Sequence, residues 1–438
     1  MQETPVAKAV SFREALAVWW QIGILSFGGP AGQIALMHRI IVDEKRWLDE
    51  SRFLHALNYC MLLPGPEAQQ LATYVGWLLH GVRGGLVAGL LFILPGALAI
   101  LALSWIYVLF GDVSLVTGLF FGMKAAVLAI VCQAMARIAH RALKGRFHIA
   151  LALAGFVGLF VFALPFPLVI FCAGLLAYLK ARVEPTQSEV PQGQPVLLHV
   201  RPGTGLAALT CLGLWLGTVL LLHLVLGSDN AFTQIADFFS RMAVVTFGGA
   251  YAVLSYVAQQ AVEQYQWLAP GEMLDGLGLA ETTPGPLILV TQFVGFLGAW
   301  REAGQGSSLL LASAGALLTT WVTFLPCFLW IFAGAPYVEK LRSHKALAAA
   351  LSAITAVVVG VIANLALWFG FNFLFTQTER VQSFGMDMLL PTLSSIALPN
   401  LFLTLTAFAM LFVLRLHMLV ILGSCALLGM LSALSNSI

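Results

Sequence analysis

Long apolar runs separated by short polar loops fill almost the whole chain, at about 15–37, 52–80, 85–110, 114–137, 148–164, 167–181, 205–227, 231–257, 271–300, 306–333, 345–374, 391–413 and 415–434. A helix crosses a hydrocarbon core of about 30 Å with about 20 apolar residues, and these thirteen segments meet or approach that length. Unbroken runs do not suit the alternating strands of a membrane barrel. The pattern therefore predicts an all-α polytopic membrane protein. One long stretch reads as a linker, "VEPTQSEVPQGQPVLLHVRPGTG" at 183–205, with four of the eighteen prolines.

The halves on either side of that linker match. Ser26-Phe27-Gly28-Gly29 corresponds to Thr246-Phe247-Gly248-Gly249, Trp47-Leu48 to Trp267-Leu268, and Pro64-Gly65-Pro66 to Pro284-Gly285-Pro286, each 220 residues on. The organisation that follows is a first transmembrane repeat over 1–182, a linker over 183–204, an unpaired helix over 205–230 and a second repeat over 231–438. Basic residues give the orientation. The loop 137–146, "RIAHRALKGR", is basic while its counterpart 372–387 has one arginine; one loop earlier the relation reverses, with no base in 111–113 and three in 335–345. Equivalent loops thus face opposite sides, as in an inverted repeat. The loop 38–52, with Arg39, Lys45, Arg46 and Arg52, breaks the positive-inside rule if every segment spans once. It obeys the rule if 15–37 and 52–80 both dip in and return.

Proline removes an N–H and glycine weakens a helix, so each Pro-Gly-Pro ends one helix and starts another, with Pro66 suited to a first helical position. Broken backbone is tolerated at membrane depth only where it is buried in protein or lines a wet cavity. The amides of Glu67, Ala68 and Gln69 after Pro66, of Ala31, Gly32 and Gln33 after Gly28-Gly29-Pro30, of Ala250 and Tyr251 after Gly248-Gly249, and of Leu287 to Leu289 after Pro286 then predict a shared anion-binding pocket. Lys124 and Arg241, both inside apolar segments, are the candidate cations, with Arg241 favoured because it leads into a broken helix. Arg415, in an interhelical loop, is expected to matter less. Glu281 and Glu67 flank the two Pro-Gly-Pro breaks and are candidate proton-exchanging groups. Ser26, Gln33, Asn58, Gln69, Gln70, Thr73, Thr246, Thr282, Thr283, Thr291 and Gln292 are the neutral polar residues available to complete an oxyanion shell. Bulk at Gly65 or Gly285, as leucine, is expected to block close approach of an anion to these backbone donors.

Composition narrows the class. The 438 residues are 60% hydrophobic and 10% charged, with a mean hydropathy of +0.92. A net charge of +2 gives nucleic acid nothing to bind. Six cysteines stand singly, so no disulfide framework or metal site is expected. The first apolar run continues through Pro30 to Met37 without a short core and cleavage site, which reads as a membrane segment and not as a signal peptide. No H-E-x-x-H, G-x-S-x-G or phosphate loop occurs, and no cofactor is implied. A membrane-embedded hydrolase or reductase using Glu67 and Glu281 is the rival class.

"FGGPAGQIALMHR", "LPGPEAQQLATYVGWLLHG", "GGLVAGLLFILPG", "TFGGAYAVLSYV" and "ETTPGPLILVTQFVGF" resemble the chromate ion transporter family in its long, two-domain form, over about residues 12–370. The resemblance implies a multi-pass secondary transporter of the inner membrane that exports chromate and confers resistance. Sulfate is the related anion, and import or exchange of sulfate or another oxyanion is the alternative. The bilayer is the other expected partner, and a homodimer is left open.

Overall fold

The computed structural model describes residues 10–183, 203–247, 249–302, 308–334, 345–383 and 385–435. Most of the linker and the basic loop expected at 335–345 therefore lie outside the described residues.

Helix α1 (Phe12–Leu25) is capped by Ser11, whose hydroxyl accepts from the Glu14 amide at 3.2 Å. The chain turns at Ser26 to Gly28 and leaves as α2 (Gly29–His38), with Pro30 in the first turn where a missing N–H is harmless. A π-helical turn (Arg39–Glu44) follows, and Lys45 then lies 3.3 Å from Glu14. The chain has come back to the face that α1 entered, so 15–37 is a pair of half-helices.

Helix α3 (Glu50–Cys60) dips in again, breaks at Pro64-Gly65-Pro66 and returns in the first part of α4 (Glu67–Phe110). At His80 and Gly81 α4 leaves helical geometry and reverses. A Cβ on Gly76 would lie 2.4 Å from the Gly84 carbonyl oxygen and one on Gly84 2.2 Å from that of Gly76, a closeness that only two glycines allow. His80 Nε2 bonds the Val10 carbonyl at 2.8 Å, back at the entry face. Of the two topologies open to the sequence, the chain adopts the one in which both broken segments re-enter. Residues 38–52 thereby join the other basic loops.

The rest of α4, α5 (Ser114–Ala142), α6 (Arg146–Phe160), α7 (Phe166–Val183) and α8 (Thr204–Leu226) cross in turn. Lys180 Nζ sits 4.4 Å from the Phe147 ring centre, which returns the end of α7 to the start of α6. Helix α8 is peripheral, with Leu206, Leu220 and Leu224 at least 59% exposed, as a lipid-facing helix requires.

From the opposite face the order repeats: α9 (Ala231–Val245), α10 (Ala250–Gln259) with a π-helical turn (Gln260–Gln264), α11 (Glu272–Thr282), a 3-10 turn (Leu287–Leu289), α12 (Val290–Glu302), α13 (Leu309–Gly334) and α14 (Lys345–Leu374). Details repeat too. The Lys45 amide donates to Ile40 O and the Tyr265 amide to Gln260 O, both at 2.9 Å. Arg46 and Gln266, the next residues, hold positive φ of 51° and 55°.

An insertion separates the halves' last helices. Between α14 and the next helix, β1 (Thr378–Ser383) pairs antiparallel with β2 (Met386–Pro391), Thr378 opposite Pro391. Sequence reading takes 372–387 as a loop and starts a helix at 391, since β1 carries one apolar residue, Val381, and the apolar residues of β2, Met386, Met388, Leu389 and Leu390, do not alternate. The chain ends with α15 (Leu398–Phe408), a π-helical continuation (Ala409–Val413) and α16 (Met418–Ser435). These two helices take the places of α6 and α7, and the turns between them each hold one non-glycine residue at positive φ, Ala163 at 48° and Arg415 at 52°.

Each terminal pair packs on the other half. Gly122 of α5 meets Cys425 of α16, and Gly360 of α14 meets Ala152 of α6. The N-terminal end of α1 and the loops 38–52 and 137–146 share one face, rich in bases, the kind of face that the positive-inside rule assigns to the cytoplasm. The opposite face carries Arg301 and Arg380 among the described residues.

Candidate functional site

The four breaks meet at one joint. Ser26 and Thr246 end α1 and α9, and their hydroxyls donate back to Ile22 O and Met242 O, each at 2.6 Å. Their own carbonyls accept from the other half: the Gly285 amide donates to Ser26 O and the Gly65 amide to Thr246 O, both at 2.8 Å. Gln33 Nε2 adds a bond to Gly285 O at 2.6 Å, and Gln70 Nε2 one to Pro64 O at 2.7 Å. Backbone that hydrocarbon would leave unpaired is thus paired across the halves. Gly65 and Gly285 sit at φ of 120° and 93°, which L side chains rarely adopt. A Cβ on Gly65 would press on Cys327 beside Pro326 of α13, and one on Gly285 would touch Gly96 beside Pro95 of α4.

Beside this joint a cavity of about 770 Å³ opens on the basic face. Two broken helices present their starts to it, Gly28, Gly29, Pro30 and Ala31 from α2 and Gly249, Ala250 and Tyr251 from α10. First-turn amides have no intrahelical acceptor and carry the positive end of the helix dipole, so Ala31, Ala250 and Tyr251 offer donors to an anion. Glu67 and Glu281 line the same space. Glu281 is 4% exposed and accepts a hydrogen bond from the Tyr251 hydroxyl.

The cavity's cations are Arg137 and Arg141 on α5 and Arg415 in the turn before α16. Gln133, Arg137 and Arg141 recur every fourth residue and so share one helix face; Arg137 donates to Gln133 Oε1 at 2.9 Å. None of the three arginines forms an ion pair among the described residues. His38, also in the wall, is held by Asp43 and Glu50.

The other residues singled out by sequence lie elsewhere. Lys124 Nζ is 3.2 Å from Asp275 Oδ2, which also accepts from the Tyr107 hydroxyl at 3.0 Å. Arg241 lies 3.8 Å from Asp237 with its side chain 74% exposed, and neither it nor Lys124 lines the cavity. Pro64, Gly65, Pro66, Pro284, Gly285 and Pro286 form the joint behind the wall, and the turn Leu287 to Leu289 is buried. Because the Gly65 amide is bonded to Thr246, bulk there acts on the joint and not on an approaching anion. Ser26, Gln33 and Thr246 hold backbone, as above; Gln69 bonds Thr73 at 3.0 Å and Thr283 bonds Ala280 O at 3.3 Å. Gly248 lies outside the described residues. Arg137 and Arg141 were legible in principle through their four-residue spacing on an otherwise apolar helix, which counting them as loop bases conceals.

The family model described as Chromate transporter matches residues 13–178 and 233–430. The chain is 32% identical to the chromate transport protein of Pseudomonas aeruginosa, over 87% of this chain and 86% of that protein. It is 28% identical to the chromate transport protein of Cupriavidus metallidurans, over 81% and 82% of the two chains. A probable chromate transport protein of Synechococcus elongatus is 26% identical over 83% and 86%. No solved structure gives a significant match.

Proposed function

We propose that this chain, which belongs to the chromate transporter family, takes chromate from the cytoplasm into the cavity between its halves and exports it across the inner membrane, conferring resistance. The observation that carries the reading is the wall of that cavity, where helix starts from both halves and three arginines with no ion pair among the described residues face one space open to the basic face. Chromate is a tetrahedral dianion. Backbone amides of α2 and α10 suit its oxygens, and Arg137 with Arg415 supplies the two opposing charges.

Because α2 and α10 belong to different halves, the bound anion bridges them, and rocking of one half against the other would re-expose it on the far side. The inside-negative potential favours expulsion of a dianion by about 4.6 kcal/mol per 100 mV. Tyr251 links the two chemistries of the cavity: its amide starts α10 and its hydroxyl holds Glu281. Repulsion between a bound dianion and ionised Glu281 then couples anion loading to the proton occupancy of that carboxylate. Sulfate has the same shape and charge and is expected to compete.

Everted vesicles test this. They should accumulate labelled chromate, with inhibition by excess sulfate, and Arg137→Gln or Arg415→Gln should raise the half-saturation concentration about tenfold for each charged hydrogen bond lost. Uptake of sulfate without chromate, or unaltered half-saturation in both variants, would overturn the reading.

A further inference from the structure

The inverted halves differ where each should line its own vestibule. Helices α5 and α14 correspond 231 residues apart, which puts Trp368 at the place of Arg137 and Asn372 at that of Arg141. The turn at Arg415 corresponds to the turn at Ala163, the two residues sharing the same positive φ. A second cavity of about 290 Å³ lies on the far face, and Trp368, Asn372 and Ala163 all line it. Ser255, at the place of Ala35, lines it too. The wall of this pocket formed by α10, α14 and the α6–α7 turn is therefore the image of the arginine-bearing wall of the first cavity under the symmetry of the repeat, with each arginine position uncharged.

It is also roofed. Thr378, Arg380, Asp387 and Leu389 of the hairpin close it from above. Arg380 grips Asp387 with two bonds of 2.6 and 2.8 Å, and the Asp387 amide donates to Val161 O at 2.8 Å, which fastens the hairpin to the α6–α7 turn. The first half has nothing comparable, since residues 143–145 alone join α5 to α6.

We propose that the far-face pocket is the exit vestibule for the same oxyanion, and that Trp368, Asn372 and Ala163 make it the weakly binding side. The inference rests on the transport reading above and adds to it a specific asymmetry. Unequal affinity drives no net flux, because with no potential or gradient the ratio of maximal rate to half-saturation is equal in both directions. What it does is keep external anion from loading the outward-open carrier, while cytoplasmic anion at low concentration still finds three arginines.

The test is half-saturation for labelled chromate, measured from each face in everted and right-side-out vesicles at zero potential. The far-face value should exceed the basic-face value at least tenfold. Ala163→Arg places a guanidinium on a backbone that already carries one at Arg415, and should lower the far-to-basic ratio about tenfold, the equivalent of one charged hydrogen bond. Asn372→Arg is the second variant and should move the ratio the same way. Equal values from both faces in the unaltered protein, or an unmoved ratio in both variants, would overturn the asymmetry while leaving transport itself standing. No chromate flux from either face would overturn the proposed function, and this inference with it.

Discussion

Gly65 is a residue at which the joint between the halves is sensitive to one added carbon. Alanine there would have to hold φ at 120°, a conformation that costs an L residue about 1–3 kcal/mol. Its Cβ would lie 2.9 Å from Cys327 Sγ and 2.9 Å from Gln70 Nε2. Relief requires the Gln70 amide to leave the Pro64 carbonyl, a bond of 2.7 Å whose loss costs about 1 kcal/mol. Gly65→Ala should therefore destabilise by about 2–4 kcal/mol. Gly285→Ala meets a milder fate, about 1–3 kcal/mol, because its nearest neighbour is a yielding Leu289 methyl at 3.2 Å. Gly217→Ala on α8, with nothing within 4 Å, is the control and should lose nothing. Thermal unfolding of detergent-purified protein, followed by tryptophan fluorescence, should rank Gly217→Ala above Gly285→Ala and Gly285→Ala above Gly65→Ala. A Gly65→Ala protein as stable as the parent would refute the idea that glycine is required by the joint.

Lys124→Met leaves Asp275 buried with its cation gone and should cost about 3 kcal/mol, the low end for such a pair because Lys124 is 23% exposed; Lys124→Met with Asp275→Asn should recover most of it in the same unfolding assay, and no recovery would mean that packing, not charge, is at stake. Glu281→Gln should flatten the pH dependence of chromate uptake while chromate still binds; a retained pH dependence would assign proton exchange elsewhere. The hydrogen bonds from Arg380 hold Asp387 below the usual carboxylate range, so the pair's stabilisation is complete above the unfolded value of about 3.9 and fades only as pH falls below it. Hydrogen exchange of the β2 amides, corrected for the intrinsic rate, should accordingly be constant from pH 8 to pH 5, and a loss of protection within that interval would contradict the assignment.

Much of this fold can be read from the residues because its main devices are backbone devices. Glycine and proline announce a helix break wherever it falls, and two breaks repeated 220 residues apart announce the symmetry. The loop at 38–52, with its misplaced bases, even points to re-entry. Side-chain direction is harder. Arg241 and Lys124 draw notice as charges within apolar runs, yet one turns outward beside Asp237 and the other is held by Asp275. Arg137 passes as a loop base because the hydrophobic run fades before the helix does; α5 continues to Ala142. Arg415 sits in a turn whose place beside α5 is set by packing between halves, and no local pattern encodes that. The hairpin escapes because β1 carries one apolar residue and the apolar residues of β2 run together, so neither strand shows an alternating period.

The central claim is that one oxyanion sits between the starts of α2 and α10 with Arg137 and Arg415 on it. Crystals of the protein soaked in chromate and measured at the chromium absorption edge would locate the metal atom of the anion directly. The account predicts a single anomalous peak in the basic-face cavity, with oxygens within about 3 Å of the Ala31 or Tyr251 amides and of the Arg137 guanidinium. A peak beside Lys124 or Arg241, with that cavity empty, would contradict it.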